Sequence, residues 1–229
     1  SHDKDEEEIL SALKSMRSDI DQAVKLIIAP RHLERTNAVL KTITEAGFTF
    51  LCRSSFTSVD EVQDLKSTKN IDIIILDVMG ELAGAYALCD LAIVGGTFKP
   101  IGGHNLLEPA AHGKPIFIGP HVANCRDIAR DLISAGGAFQ AADAQDLVRL
   151  IKPFLQDKEL TIRSGKSALK VLEENRGSLD RYEKIVSSMI ADRFTESTVD
   201  SNSVDLREPR WLMCVLSKVF GLVTATRNA

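Results

Sequence analysis

The sequence predicts a doubly wound parallel α/β sheet. Its strand-like runs are continuously apolar rather than alternating, as in DIIILDV at 72–78 and IFI at 116–118, the pattern of strands covered by helices on both faces. These runs alternate along the chain with segments of helical period, which is the order of successive βα units. With 229 residues and 44% apolar content, the chain has material for one main core.

The first residues, SHDKDEEE, read as a helix start, with Ser1 or Asp3 as cap and Glu6, Glu7 and Glu8 in the first turn, where acids favour the positive end of the helix dipole. They contain no basic stretch followed by an apolar one, so no targeting segment is expected there. A helix start without an initiator methionine implies further sequence upstream, and the chain is read as part of a longer protein. A strand at 23–29 follows, stopped by Pro30, which lacks the N–H a central strand needs. Next come a helix at 33–46, a strand at 49–52, a polar linker, a strand at 72–78, a helix at 80–89 and a strand at 91–94. Beyond a glycine-rich loop, a short helix from Asn105 leads to the strand at 116–118, a helix at 125–135, a short strand at 138–140 and helices from 144 onward. The helical stretch at 158–191 is expected to break at Asn175, Arg176 and Gly177. Residues 1–192 thus form the expected α/β domain, the Ser- and Thr-rich residues 193–208 a flexible linker, and residues 209–229 an amphipathic helical tail. On that tail Trp211, Leu212, Val215, Leu216, Val219, Phe220 and Val223 form one stripe, too short for a bilayer crossing of about 20 residues. It is read as docking on protein or lying on a membrane surface.

The net charge of −4 leaves no basic footprint, so nucleic acid is not an expected partner. Cys52, Cys89, Cys125 and Cys214 match no metal spacing and read as reduced residues in or beside apolar segments. No metal site and no cofactor are expected: GxGxxG and GxxxxGK[ST] are both absent.

In a doubly wound sheet ligands bind at the carboxyl ends of the strands, so three loops are candidates. The first holds Pro30 and Arg31, whose guanidinium suits a bidentate grip on phosphate; its alternative use is a surface pair with Glu34. The second holds Met79, Gly80 and Glu81 at a helix start, where N–H groups can meet a base or phosphate edge, or where Glu81 merely complements the helix dipole. The third, between Leu91 and Pro120, carries the pairs Gly95, Gly96 and Gly102, Gly103, which permit positive φ or close approach of a ligand. Asn105 stands at the N-cap position of the next helix, with Leu106 and Leu107 behind it and Pro109 in the first turn, an arrangement suited to an anion. Glu108 is placed either to close a capping box or to meet a sugar hydroxyl. His104 reads as a ligand contact or loop-orienting donor, and His112 and His121 as structural.

These motifs, PRHLER at 30–35, MGE at 79–81 and VGGTFKPIGGHNLLEPAAHGKPIFIGPH at 94–121, together with SHDKDEE at 1–7 where the family often has STHEGEE, resemble the 3-deoxy-D-manno-octulosonic acid (Kdo) transferases. The resemblance runs from residue 1 to about 190. It implies the second Rossmann-like domain of a GT-B glycosyltransferase, with Pro30, Arg31, Met79, Gly80, Glu81, Asn105, Leu106, Leu107 and Glu108 holding the CMP part of CMP-Kdo. It further implies transfer of Kdo to a lipid A precursor, with a general base supplied by a glutamate of a first domain that this chain lacks. The chain alone is therefore expected to bind donor and not to turn over. The unmatched tail points to a plant mitochondrial member; a bacterial one would work at the cytoplasmic face of the inner membrane. The rival readings are a GT-B enzyme using a UDP-sugar, and a non-catalytic nucleotide-sugar-binding remnant.

Overall fold

The computed structural model describes residues 3–19, 24–56 and 71–195. The chain divides into two compact units, Ser1–Asp180 and Arg181–Ala229; of the second, only the helical residues 181–195 are described. Most of the expected linker and the whole apolar tail lie outside the described residues.

The first unit is α/β, and among its described residues every strand pairing is parallel, as the unbroken apolar runs predict. In chain order the helices and strands of the described residues are α1 (Asp3–Asp19), β1 (Leu26–Ile28), α2 (Thr36–Glu45), β2 (Phe50–Cys52), β3 (Ile73–Ile75), α3 (Leu82–Leu88), β4 (Ala92–Ile93), α4 (Leu107–Ala111), β5 (Ile116–Ile118), α5 (Arg126–Ser134), β6 (Ala138–Gln140), α6 (Ala144–Gln156) and α7 (Lys158–Thr195). Hydrogen bonding divides the strands into two three-stranded sheets, ordered β1-β3-β2 and β4-β5-β6. The first sheet is aligned at its amino end by one side-chain pair. Asp72 accepts from the Thr49 backbone N–H at 2.9 Å, and the Asp72 N–H donates to Thr49 Oγ1 at 3.1 Å.

The two sheets share a core. Ile28, Ile73 and Ile75 lie in one apolar cluster with Phe117 of β5, and this cluster also takes Leu10, Leu13 and Met16 from α1, Val39 and Ile43 from α2, and Leu147 and Ile151 from α6. Phe117, Phe139 and Phe154 close it as an aromatic triple with ring centroids 4.8 to 5.4 Å apart. Ile116 and Ile118, the flanking residues of β5, belong to a second cluster with Leu106, Leu132, Ala168 and Leu172. Alternate side chains of one strand thus enter two different cores, which is why this strand has no polar position.

The break expected at Asn175 to Gly177 does not occur: α7 runs unbroken through these residues. Asn175 Nδ2 donates to the Val171 carbonyl one turn earlier at 2.8 Å, so the side chain is spent inside the helix instead of drawing the backbone out of it. A glycine costs a helix only about 1 kcal/mol, too little to end one by itself.

Candidate functional site

The glycine-rich segment after β4 folds onto its own neighbours. Thr97, fully buried, donates its hydroxyl to the Val94 carbonyl at 2.7 Å and accepts from the Gly119 N–H at 2.8 Å, tying the loop after β4 to the loop after β5. Gly102 and Gly103 have φ of 102° and 87°, and a Cβ on Gly102 would stand 2.5 Å from Asn124 Nδ2, one on Gly103 2.8 Å from Cys125 Sγ. Both alternatives expected of these glycines are thus answered within the chain: they adopt positive φ, and what approaches them closely is a neighbouring loop.

The turn at Gly96 to Phe98 corrects the expectation of an open anion cradle. Asp5 of α1, with no exposed surface, accepts from the Gly96 N–H at 2.5 Å and from the Phe98 N–H at 3.2 Å. A glycine turn presenting convergent N–H groups is an anion nest, and here the protein's own carboxylate fills it. Next to Asp5, Glu6 is 2% exposed and meets Arg35 at 3.3 Å. Of the acids read as first-turn partners of the helix dipole, Glu6 is buried, and with Asp5, which that reading did not single out, it is one of the two groups by which α1 holds the loops after β4 and β1. Their place in an unbroken charged run, Asp3 to Glu8, carries no signal for this, because their partners lie 91 and 29 residues away.

Beside this turn opens a cleft of about 550 Å³, lined by Arg31, His104, Asn105, Leu107, Asn124 and Ile128 among others. Arg31 Nη1 lies 3.4 Å from His104 Nδ1, a contact in which the guanidinium donates to an unprotonated ring nitrogen. Asn105 Oδ1 accepts from the Leu107 N–H at 3.0 Å, but the N-cap position expected of Asn105 is held by Leu106, and the helix that follows has only five residues and hence a weak dipole. Glu108 closes no capping box. Its carboxylate accepts from Asn105 Nδ2 at 3.1 Å, a side-chain partner where a capping box would use the backbone N–H.

Of the nine residues picked from the sequence, Arg31, Asn105, Leu106 and Leu107 line this cleft. Leu106 is fully buried in the second core, so it can offer a ligand only backbone. Pro30 is buried, and Glu108 is exposed at the edge of the Asn105 turn. Met79, Gly80 and Glu81 stand elsewhere, at the carboxyl end of β3. Met79 is 81% exposed, Gly80 has φ 85°, and the Glu81 carboxylate accepts from Arg53 Nε at 2.8 Å. Arg53 also donates to the Phe56 carbonyl at 2.8 Å, and beside it the Ser54 N–H donates to Asp77 at 2.8 Å. Arg53 and Asn124, neither picked as a site residue from the sequence, are what the two loop clusters add.

The chemistry available in the cleft is binding chemistry. Burial pushes the Cys125 thiol up, as it does those of Cys52 and Cys89, so none is prepared as a thiolate. Among the described residues no group of three or more His, Cys, Asp or Glu can hold a metal ion. Tyr86, stacked on His112 at a centroid distance of 6.1 Å, has its phenol pushed up to about 12, first by burial and then by the Glu108 carboxylate. An unfolded tyrosine ionises near 10. The stability contributed by the neutral phenol is therefore complete below about pH 10 and lost as pH rises towards about 12. Ultraviolet titration is expected to show a late-ionising tyrosine that Tyr86→Phe removes, together with the fall in stability over that window; an unchanged profile in the variant would refute the assignment.

No protein-family model matches the chain. It is 34% identical over 181 residues to the 3-deoxy-D-manno-octulosonic acid transferase of Haemophilus influenzae, covering 79% of this chain and 40% of that protein. It is 37% identical over 138 residues to the enzyme of the same name from Bordetella pertussis, covering 60% of this chain and 30% of the relative. The chain thus spans at most about two fifths of the curated relatives it matches here. Among solved structures it matches the C-terminal CMP-Kdo binding domain of WaaA from Acinetobacter baumannii at 32% identity and a TM-score of 0.66, over 75% of this chain and 85% of that one.

Proposed function

The chain belongs to the 3-deoxy-D-manno-octulosonic acid transferase family, and on that premise we propose that it is the donor-binding half of a GT-B Kdo transferase. The observation that carries this is the cleft itself. Arg31, the turn held by Asn105 and the exposed backbone beside it are gathered at the carboxyl ends of parallel strands, in a chain that covers most of a CMP-Kdo binding domain. In this reading Arg31 and the turn at Asn105 and Leu107 take the phosphate, and Leu106 adds backbone to the floor. Glu108 takes ribose hydroxyls, and Pro30 sets the loop that carries Arg31. Met79, Gly80 and Glu81 take the base from a separate loop at the carboxyl end of β3.

The reaction of the intact enzyme is attack by a lipid A precursor hydroxyl on the anomeric carbon of Kdo. A new C–O bond forms there, the bond to the phosphate oxygen of CMP breaks, and the hydroxyl proton passes to a general base. No cleft residue of this chain is placed as that base. The lipid acceptor would bring the intact transferase to a membrane surface; among the described residues no helix is long and apolar enough to cross one.

Two features favour a monophosphate donor over a UDP-sugar. Arg31 is the one arginine or lysine among the described residues lining the cleft, and the N–H groups of the glycine turn that a second phosphate could use are held by Asp5. Isothermal titration is expected to show CMP binding with UDP weaker by tenfold or more, since a charge-assisted contact is worth about 1.5–3 kcal/mol. A preference for UDP overturns the donor assignment, and Kdo transfer by this chain alone overturns the view that the base lies outside it.

A further inference from the structure

We propose that Asp5 is a positioning residue of the donor cleft: its carboxylate fills the nest of the Gly96 to Phe98 turn and, through that turn, sets the segment carrying His104, Asn105 and Leu107. The inference rests on the donor reading above.

The connection is short and continuous. Asp5 accepts from the Gly96 N–H at 2.5 Å, and the Gly96 carbonyl accepts from the Gly103 N–H at 2.8 Å. On its other side Gly96 lies so close to His104 that an added Cβ would stand 3.1 Å from the ring. His104 in turn meets Arg31 at 3.4 Å. The Phe98 N–H, held by the same carboxylate, follows Thr97, whose carbonyl accepts from the His121 N–H at 2.8 Å. Two residues beyond Gly103, Asn105 holds the Leu107 N–H in the turn that lines the cleft.

α1 is also a firm base for such a contact. Leu10, Leu13 and Met16 anchor it in the main core, and the neighbouring Glu6 meets Arg35 at 3.3 Å, four residues beyond Arg31. One helix therefore reaches two of the loops that bear cleft residues, those after β1 and β4, with a buried acid for each. A carboxylate suits the task better than a neutral group. It presents acceptors to both N–H groups at once and donates nothing, whereas an amide would turn an N–H toward one of them.

The test uses the 229-residue chain with Asp5→Ala, Asp5→Asn and, as a control on the same turn, the exposed Glu7→Ala. In 1H–15N spectra the Gly96 and Phe98 amide protons are expected to move upfield in Asp5→Ala, which loses both acceptors. CMP affinity should fall about tenfold or more, the scale of a small misplacement of a binding group. Sodium formate, a free stand-in for the missing side chain, should restore part of both signals in Asp5→Ala and leave the natural chain and Glu7→Ala unchanged. Asp5→Asn should fold even if the alanine variant does not, with an affinity below that of the natural chain. Unmoved Gly96 and Phe98 resonances, or moved resonances with undiminished CMP affinity, overturn the proposal while the donor reading survives. A natural chain that binds no CMP overturns the donor reading, and this one with it.

Discussion

Arg31→Ala lowers CMP affinity by between about 10-fold and 100-fold and leaves the affinity for cytidine and the melting temperature close to those of the natural chain. The size follows from what is removed: one charge-assisted contact to a phosphate is worth about 1.5–3 kcal/mol. The selectivity follows from where the residue sits. Its side chain lies exposed at the mouth of the cleft, within 3.4 Å of His104, so its loss uncovers no core. Arg31→Lys should recover part of the affinity, because an ammonium keeps the charge and loses the planar fork. Calorimetry with CMP and cytidine, beside a thermal melt, decides it. Equal losses for the two ligands would mean that the cleft had distorted, and no loss would remove Arg31 from the site.

Gly165→Ala destabilises the domain although alanine is the better helix former. Gly165 lies within α7, where propensity alone would favour alanine by about 1 kcal/mol. An added Cβ there would fall well inside contact distance of the Gly113 carbonyl oxygen and 2.7 Å from its carbon. The obstacle is backbone at the turn that ends α4, and it cannot swing aside as a side chain would. Overpacking of this kind costs about 1–3 kcal/mol or more. Because the obstacle is backbone, the cost falls at the upper end of that range. With the propensity gain of about 1 kcal/mol subtracted from about 3 kcal/mol, a net loss of about 2 kcal/mol is expected, seen as a fall of roughly 4–8 °C in melting temperature for a domain of this size. An unchanged or higher melting temperature would show that α7 does not approach the Gly113 turn this closely.

The two variants separate the parts of the molecule that were legible in the sequence from those that were not. Arg31 was legible because its signal is local: a proline ends a strand, and the next residue must stand at the sheet's carboxyl edge. The turn at Asn105 was legible for the same reason, since its side chain bonds a backbone N–H two residues on, although the cap position itself fell to Leu106 and the helix proved too short to act as a strong dipole. Met79, Gly80 and Glu81 were recognised as a loop, but their distance from the cleft and the pairing of Glu81 with Arg53 depend on how β2 and β3 lie side by side. No spacing rule gives that.

By itself the sequence determined the parallel α/β class, the order of the elements and the anion-binding chemistry of the glycine-rich segment, because each depends on patterns closed within a few residues or turns. The tertiary structure alone decided which anion that segment holds. Asp5 reaches Gly96 across 91 residues of sequence, and a contact of that span exists only once α1 has docked its apolar face on the core. A charged run at a helix start looks the same in sequence whether it meets water or a buried nest. The difference lies in the free energy of packing the helix, not in the acids themselves.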